Sequence, residues 1–255
     1  MLKATGAAVA GAALLGAEGV AMANDAIGEK GTTSKKPRKK VLFIGAHPDD
    51  NESCGGGTMI KMLDAGFEVV SVYFTHGERG LPQVSLEESA RIRTQETLEA
   101  CKVMGVRPVF MTQIDGASEI NEERYLEMQE LIKKEHPDAV VTHWPIDSHR
   151  DHVNCSVLVL DAWRRVGKFF DIYYYEAMTG LQTKTFRPTD YVDITDFHDQ
   201  KVKALYCHKC QDPQDWYPEY HLVMEEFRGL EKAVKYAEAF TRFDQNPTTR
   251  SLMDI

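Results

Sequence analysis

Residues 46–58, Ala-His-Pro-Asp-Asp-Asn-Glu-Ser-Cys-Gly-Gly-Gly-Thr, set one imidazole, His47, beside two adjacent carboxylates, Asp49 and Asp50. Further along, Trp144-Pro145-Ile146-Asp147-Ser148-His149-Arg150-Asp151-His152 supplies more of both. Imidazole and carboxylate are good zinc ligands, and a catalytic zinc keeps three protein ligands plus a water. His47, Asp50 and His152 meet that count. Neighbouring aspartates on an irregular turn point apart, so Asp49 stays off the metal as a candidate general base for a water whose pKa the ion lowers toward about 7. His149, three residues before His152, falls on the same side of one helical turn and can stabilise an oxyanion or protonate a leaving group. Asp151, or Asp147, can hold that imidazole in one tautomer. Arg79 or Arg93 can add positive charge beside a substrate. Singly, a His-x-x-His is a common surface helix pair and an Asp-Asp a common turn or cap; the weight lies in finding both at strand ends. Two histidines and one carboxylate also suit non-haem iron, so Fe2+ or another divalent ion stays open beside Zn2+.

The elements around these motifs must bring them together. Val41-Leu42-Phe43-Ile44 reads as a buried strand that delivers the first motif, with glycines 55–57 allowing a tight turn into an amphipathic helix. Strands follow at 69–75, 109–112 and 138–143, the last delivering the second motif. Helices are expected at 86–104, with Ser85 as N-cap and Glu88 completing a capping box, and at 122–135. This β-α-β-α-β-α-β order implies a single α/β domain, Rossmann-like and doubly wound, with a mostly parallel sheet covered by helices on both faces. Both motifs then leave the carboxyl ends of parallel strands, where such folds bind ligands. Beyond them, the pattern predicts helices at 155–166, 197–207 and 225–241 and strands at 171–175 and 191–194.

Composition narrows the function classes. The chain has 255 residues, 43% of them hydrophobic, and a formal charge of −9, which disfavours nucleic acid or an anionic membrane as partner. Residues 1–23 read as a signal peptide: an Ala-rich apolar segment too short to span a bilayer, then Ala21-Met22-Ala23 as a small-x-small cleavage pattern. Met1-Leu2-Lys3-Ala4-Thr5-Gly6-Ala7-Ala8 is similar to the stretch after the twin arginines of a Tat signal, so the start is expected to lie inside a longer leader. Residues 24–40, with the run Lys35-Lys36-Pro37-Arg38-Lys39-Lys40, read as a linker, 41–243 as the domain and 244–255 as a frayed tail. Export to the periplasm or exterior of a bacterium follows as an expectation, without a stable membrane span in the mature form. The five cysteines are odd in number and scattered; Cys207 and Cys210 have the spacing for a local disulfide, against the simpler reading of free thiols.

With these residues in place a family resemblance is visible. Ala46-His47-Pro48-Asp49-Asp50-Asn51-Glu52 with Gly56-Gly57-Thr58 resembles the first motif of the PIG-L/LmbE-like zinc deacetylases, and Asp147-Ser148-His149-Arg150-Asp151-His152 resembles the second. Thr75-His76-Gly77-Glu78-Arg79-Gly80, Arg93-Thr94-Gln95-Glu96, Tyr173-Tyr174-Tyr175-Glu176, His208-Lys209-Cys210-Gln211 and Tyr236-Ala237-Glu238-Ala239-Phe240 extend it over residues 40–243, although Cys210 stands where the family pattern has Ser. The resemblance implies a Rossmann-like fold and zinc-dependent removal of an N-acetyl group from an N-acetylglucosamine-type sugar or glycoconjugate. It implies His47, Asp50 and His152 as metal ligands, Asp49 as base, His149 as acid and oxyanion stabiliser, Asp151 as its orienting partner, and Arg79 and Arg93 at the substrate. Loops 76–88 and 177–190 are expected to shape that site. Another zinc amidohydrolase, acting on small amides or thiol conjugates, and a non-catalytic carbohydrate-binding relative are the alternatives.

Overall fold

The computed structural model describes residues 38–243 and 251–255. The segment expected as a signal peptide, residues 1–23, and nearly all of the expected linker lie outside the described residues. Strand β1 (Lys40–Gly45) runs through the middle of a seven-stranded sheet, with β2 (Glu68–Thr75), β3 (Arg107–Gln113), β4 (Ala139–His143), β5 (Asp171–Tyr175), β6 (Asp190–Asp193) and β7 (Ala237–Arg242) in the order β3-β2-β1-β4-β5-β7-β6. β1 pairs in parallel with β2 and β4, while β7 is antiparallel to both its neighbours. The side chains of β1 alternate: Val41 and Phe43 enter one core cluster, Leu42 and Ile44 the other, and all four are fully buried. A strand apolar on both faces needs helices on both sides. Helices α1 (Asp50–Asp64), α2 (Leu86–Met104) and α5 (His198–Leu205) pack together, and α3 (Glu122–Glu135) packs on α4 (Arg150–Arg165); α6 (Pro213–Trp216) and α7 (His221–Lys232) follow in the C-terminal part. No helix of the described residues is long and apolar enough to cross a membrane.

Helix α2 begins where the sequence places it, with the Ser85 hydroxyl accepting from Glu88 N at 3.2 Å. The reciprocal half of the capping box is spent elsewhere, since the Glu88 carboxylate accepts from Nε and Nη2 of Arg91.

Four expectations are corrected. The glycines 55–57 make no turn, because α1 already starts at Asp50 and they sit inside it. Their function is close approach: a Cβ on Gly55 would stand 2.7 Å from the Phe43 ring, and one on Gly57 2.7 Å from Ile194. Helix α4 starts at Arg150, five residues before the expected 155, because its first turn is polar and faces the site, which hides the apolar period. Residues 225–241 are not one helix. α7 ends at Lys232, Ala233 turns left-handed at φ 61°, and β7 takes its place between β5 and β6. The Ala- and Glu-rich composition favours helix locally, but the open edge of β5 and burial of Phe240 override it. Lastly, residues 251–255 are not frayed: Leu252 N donates to the Tyr173 hydroxyl at 2.9 Å and Met253 is buried.

Candidate metal centre and its cavity

Both motifs emerge at the carboxyl ends of β1 and β4, adjacent strands on either side of the point where the strand order reverses. His47 lies in the turn after β1, Asp50 opens α1, His149 caps α4 and His152 sits in its first turn. Asp50 is the hub. Its Oδ2 lies 3.2 Å from His47 Nδ1 and its Oδ1 3.5 Å from His152 Nε2. In a tetrahedral site with bonds of about 2.0–2.1 Å, ligand atoms stand about 3.3–3.4 Å apart, and both contacts are of that order, one to each Asp50 oxygen. Among the described residues, the sets whose ligand atoms all lie within 4.8 Å of one another are His47–His149–His152, Asp50–His143–His152 and His47–Asp115–Asp151. The opposite nitrogens are engaged by other carboxylates: His47 Nε2 by Asp151 at 3.0 Å and Asp115 at 3.3 Å, and His152 Nδ1 by Asp147 at 3.3 Å. A ligating histidine normally has such an outer partner, which fixes its ring and leaves the inner lone pair for the metal. Burial pushes the Asp50 carboxyl up, but His152, His143 and His47 outweigh it and hold the group well below the usual carboxylate range.

The two aspartates part company. Asp49 adopts φ 99°, a left-handed conformation costing a non-glycine residue about 1–3 kcal/mol, which the surroundings must hold. Arg93 does so: its Nη2 donates to the Pro48 carbonyl at 2.6 Å and to Asp49 Oδ2 at 2.8 Å. Burial pushes the Asp49 carboxyl up and Arg93 draws it part of the way back. Arg93, expected as a substrate contact, borders the cavity but is buried and committed to the Asp49 turn. Arg79 is exposed at the cavity rim, tied through its backbone N to Asp115 and loosely through Nη1 to the Gly116 carbonyl.

Asp151 is the second correction at the site. Its carboxylate does not reach the His149 ring; it takes His47 Nε2, the Ser118 hydroxyl at 2.5 Å and Gly116 N at 2.6 Å. Asp151 is on the first turn of α4, and its side chain points down onto the loop after β3, away from the capping residue. His149 is oriented instead by the Asp151 backbone N–H, which donates to its Nδ1 at 3.3 Å. That bond leaves the proton of the neutral ring on Nε2. Burial, with His47 and His152 nearby, lowers the His149 pKa and keeps it neutral.

A cavity of about 360 Å³ opens above these groups, bordered by His47, Asp49, Asp50, His149 and His152. The expected loops contribute Arg79 and Gly80 on one side and Met178 and Gln182 on the other.

The region that carries this site is similar to known proteins. Residues 42–163 match the family profile "PIG-L: GlcNAc-PI de-N-acetylase". Diacetylchitobiose deacetylase of Thermococcus kodakarensis is 30% identical over 220 residues, covering 78% of this chain and 81% of that protein. The chain belongs to the PIG-L family. Among solved structures, N,N'-diacetylchitobiose deacetylase of Pyrococcus horikoshii, complexed with its inhibitor MPG, superposes with a TM-score of 0.72 at 28% identity over 84% of this chain and 88% of that one. The hydratase GalB of Pseudomonas putida shares the fold as well, with a TM-score of 0.73 at 20% identity over 84% of this chain and 99% of that one.

Several residues of this PIG-L site escape the sequence patterns. His143, the last residue of β4, is buried 3.2 Å from Asp50 and stacks on His152 with ring centroids 3.8 Å apart. Its Nε2 accepts from Ala46 N at 2.9 Å, and it does not border the cavity, so its lone pair is spent on the chain. Asp115 stands two residues past the end of β3; the Asp115-Gly116 pair just beyond a strand was the available signal. The cysteines are free among the described residues, Cys207 and Cys210 included. Beneath α1, Lys201 is fully buried between Glu225 and Glu238, at 2.6 Å from each, and Glu238 also accepts from Gly57 N and Thr58 N. This network moors the helix that carries Asp50 to α5, α7 and β7.

Proposed function

We propose that this chain is a metal-dependent N-deacetylase that hydrolyses the acetamide of an N-acetylglucosamine-type sugar or glycoconjugate, in line with the deacetylases it resembles. Fold likeness alone does not choose the reaction, since a hydratase shares it. The carrying observation is the division of the aspartates: Asp50 among imidazoles, Asp49 free of them, clamped by Arg93 and bordering the cavity.

His47 Nδ1, Asp50 and His152 Nε2 would hold the ion. When bound, a divalent ion there supplies Lewis acidity and an acidified water, and the two-imidazole, one-carboxylate set suits zinc with an open position. Asp49 takes the proton of the water that adds to the acetamide carbon. The His149 Nε2–H faces the growing charge on the acyl oxygen, and a proton reaches the sugar nitrogen as the C–N bond breaks, giving acetate and a free amine. Asp151 and Asp147 keep the His47 and His152 rings in place. The leader pattern over residues 1–23 supports an exported protein, which N-terminal sequencing of secreted material checks.

The test is acetate release from N-acetylglucosamine and N,N'-diacetylchitobiose by zinc-loaded protein. Turnover is expected to fall about a hundredfold or more in Asp49→Asn, as for loss of a general base, with metal content unchanged. Full turnover in that variant refutes the role of Asp49; hydrolysis of neither sugar by the wild type refutes the substrate class. Metal analysis and reconstitution separate zinc from iron.

A further inference from the structure

The wall of the cavity formed by the C-terminal part of the chain belongs to neither motif. It consists of Gln211, Trp216 and His221, which follow α5. Every charged group of the cavity lies on the other elements; this side offers an aromatic ring. The Trp216 indole N–H donates to the Gln211 carbonyl at 2.8 Å, and the Gln211 amide donates to the Gly80 carbonyl at 3.2 Å. The one polar atom of the indole is therefore consumed, and its ring is braced through Gln211 against the loop after β2. His221 meets the ring edge-on, with centroids 5.5 Å apart. It is itself buried, and burial beside Lys201 pushes it down to about 4, so it stands at the cavity as a neutral imidazole.

With its N–H taken by the Gln211 carbonyl, the half-buried indole borders the cavity through its carbon framework, a π system with no free polar atom. The electron-rich face of an aromatic ring attracts positively polarised C–H groups, and one side of a pyranose ring carries a row of them. An acyclic acetamide presents no such flat surface.

We propose that Trp216 is the platform on which the substrate's pyranose ring stacks, making this wall the element that selects N-acetyl amino sugars over acyclic N-acetyl amides. This rests on the deacetylase reading above. Trp216 contacts the sugar and takes no part in proton transfer, so its loss acts on binding. The placement also explains why the indole N–H is turned inward to Gln211 rather than offered to a ligand hydroxyl.

Two measurements test it. In zinc-loaded protein, Trp216→Ala is expected to raise KM for N,N'-diacetylchitobiose about tenfold or more with kcat within a few-fold, to leave kcat/KM for N-acetylethanolamine unchanged, and to be largely rescued by Trp216→Phe. Equal losses on both substrates, or none on the sugar, overturn the proposal. The second measurement needs no turnover. In Asp49→Asn protein, the chitobiose-induced change in intrinsic fluorescence is expected to vanish when Trp216→Phe is added, leaving Trp144 and Trp163 as silent reporters. A change that persists undiminished overturns the stacking role. If the wild type binds the sugar through Trp216 but hydrolyses no N-acetyl sugar, the deacetylase reading fails while the platform stands.

Discussion

The Arg93 guanidinium lies 2.8 Å from Asp49 Oδ2 and 2.6 Å from the carbonyl of Pro48, both through Nη2. One nitrogen thus fixes both the carboxylate proposed as base and the peptide that enters its left-handed turn. The arginine reaches there from α2, an element with no part in either main motif.

Arg93 therefore acts through Asp49. Arg93→Ala is expected to lower kcat about ten- to hundredfold, the usual cost of misplacing a reacting group by an ångström or so, with metal content intact. Arg93→Lys is expected to restore part of the rate, because both contacts run through one nitrogen and an ammonium carries donors for two acceptors, although on a more flexible stem. Steady-state kinetics decide: a rise in KM with kcat untouched would return Arg93 to the substrate.

Asp151 holds His47, so its removal is felt in metal affinity. Asp151→Asn is expected to weaken zinc binding about ten- to hundredfold, as loss of an outer carboxylate does elsewhere. Competition against a chromogenic chelator measures this. Unchanged affinity with lower kcat would point instead to the His149 orientation inferred from the sequence.

Acid is expected to destabilise the metal-free protein early. His143 and His221, both buried, have pKa values lowered from 6.5 to about 4. A histidine with a depressed folded pKa gives stability that is complete above 6.5 and lost as pH falls toward about 4, since the unfolded chain takes up the proton first. Below the ordinary value of 4.5, Glu225 adds to the loss, because Lys201 and His198 outweigh its burial and hold its pKa down. Urea melts between neutral pH and 4 should show a falling midpoint, less steeply in His221→Gln. A flat midpoint across that range would contradict buried neutral histidines.

The sequence alone carried the βαβ alternation, because apolar runs such as Val41 to Ile44 and the Ser85 cap record local burial and capping in residue types. It also carried the approach of His47 and His152 to Asp50, because ligand chemistry restricts which side chains can serve and both motifs sit at strand ends. Tertiary structure alone decided the rest. β7 became a strand although its composition favours helix, since pairing with β5 outweighs local propensity. Asp151 turned to His47, and Arg93 to Asp49, because which groups meet depends on how α4 and α2 pack rather than on spacing along the chain. The aromatic wall of Trp216 and His221 left no motif to find: its residues acquire meaning only when the chain after α5 folds back over the cavity.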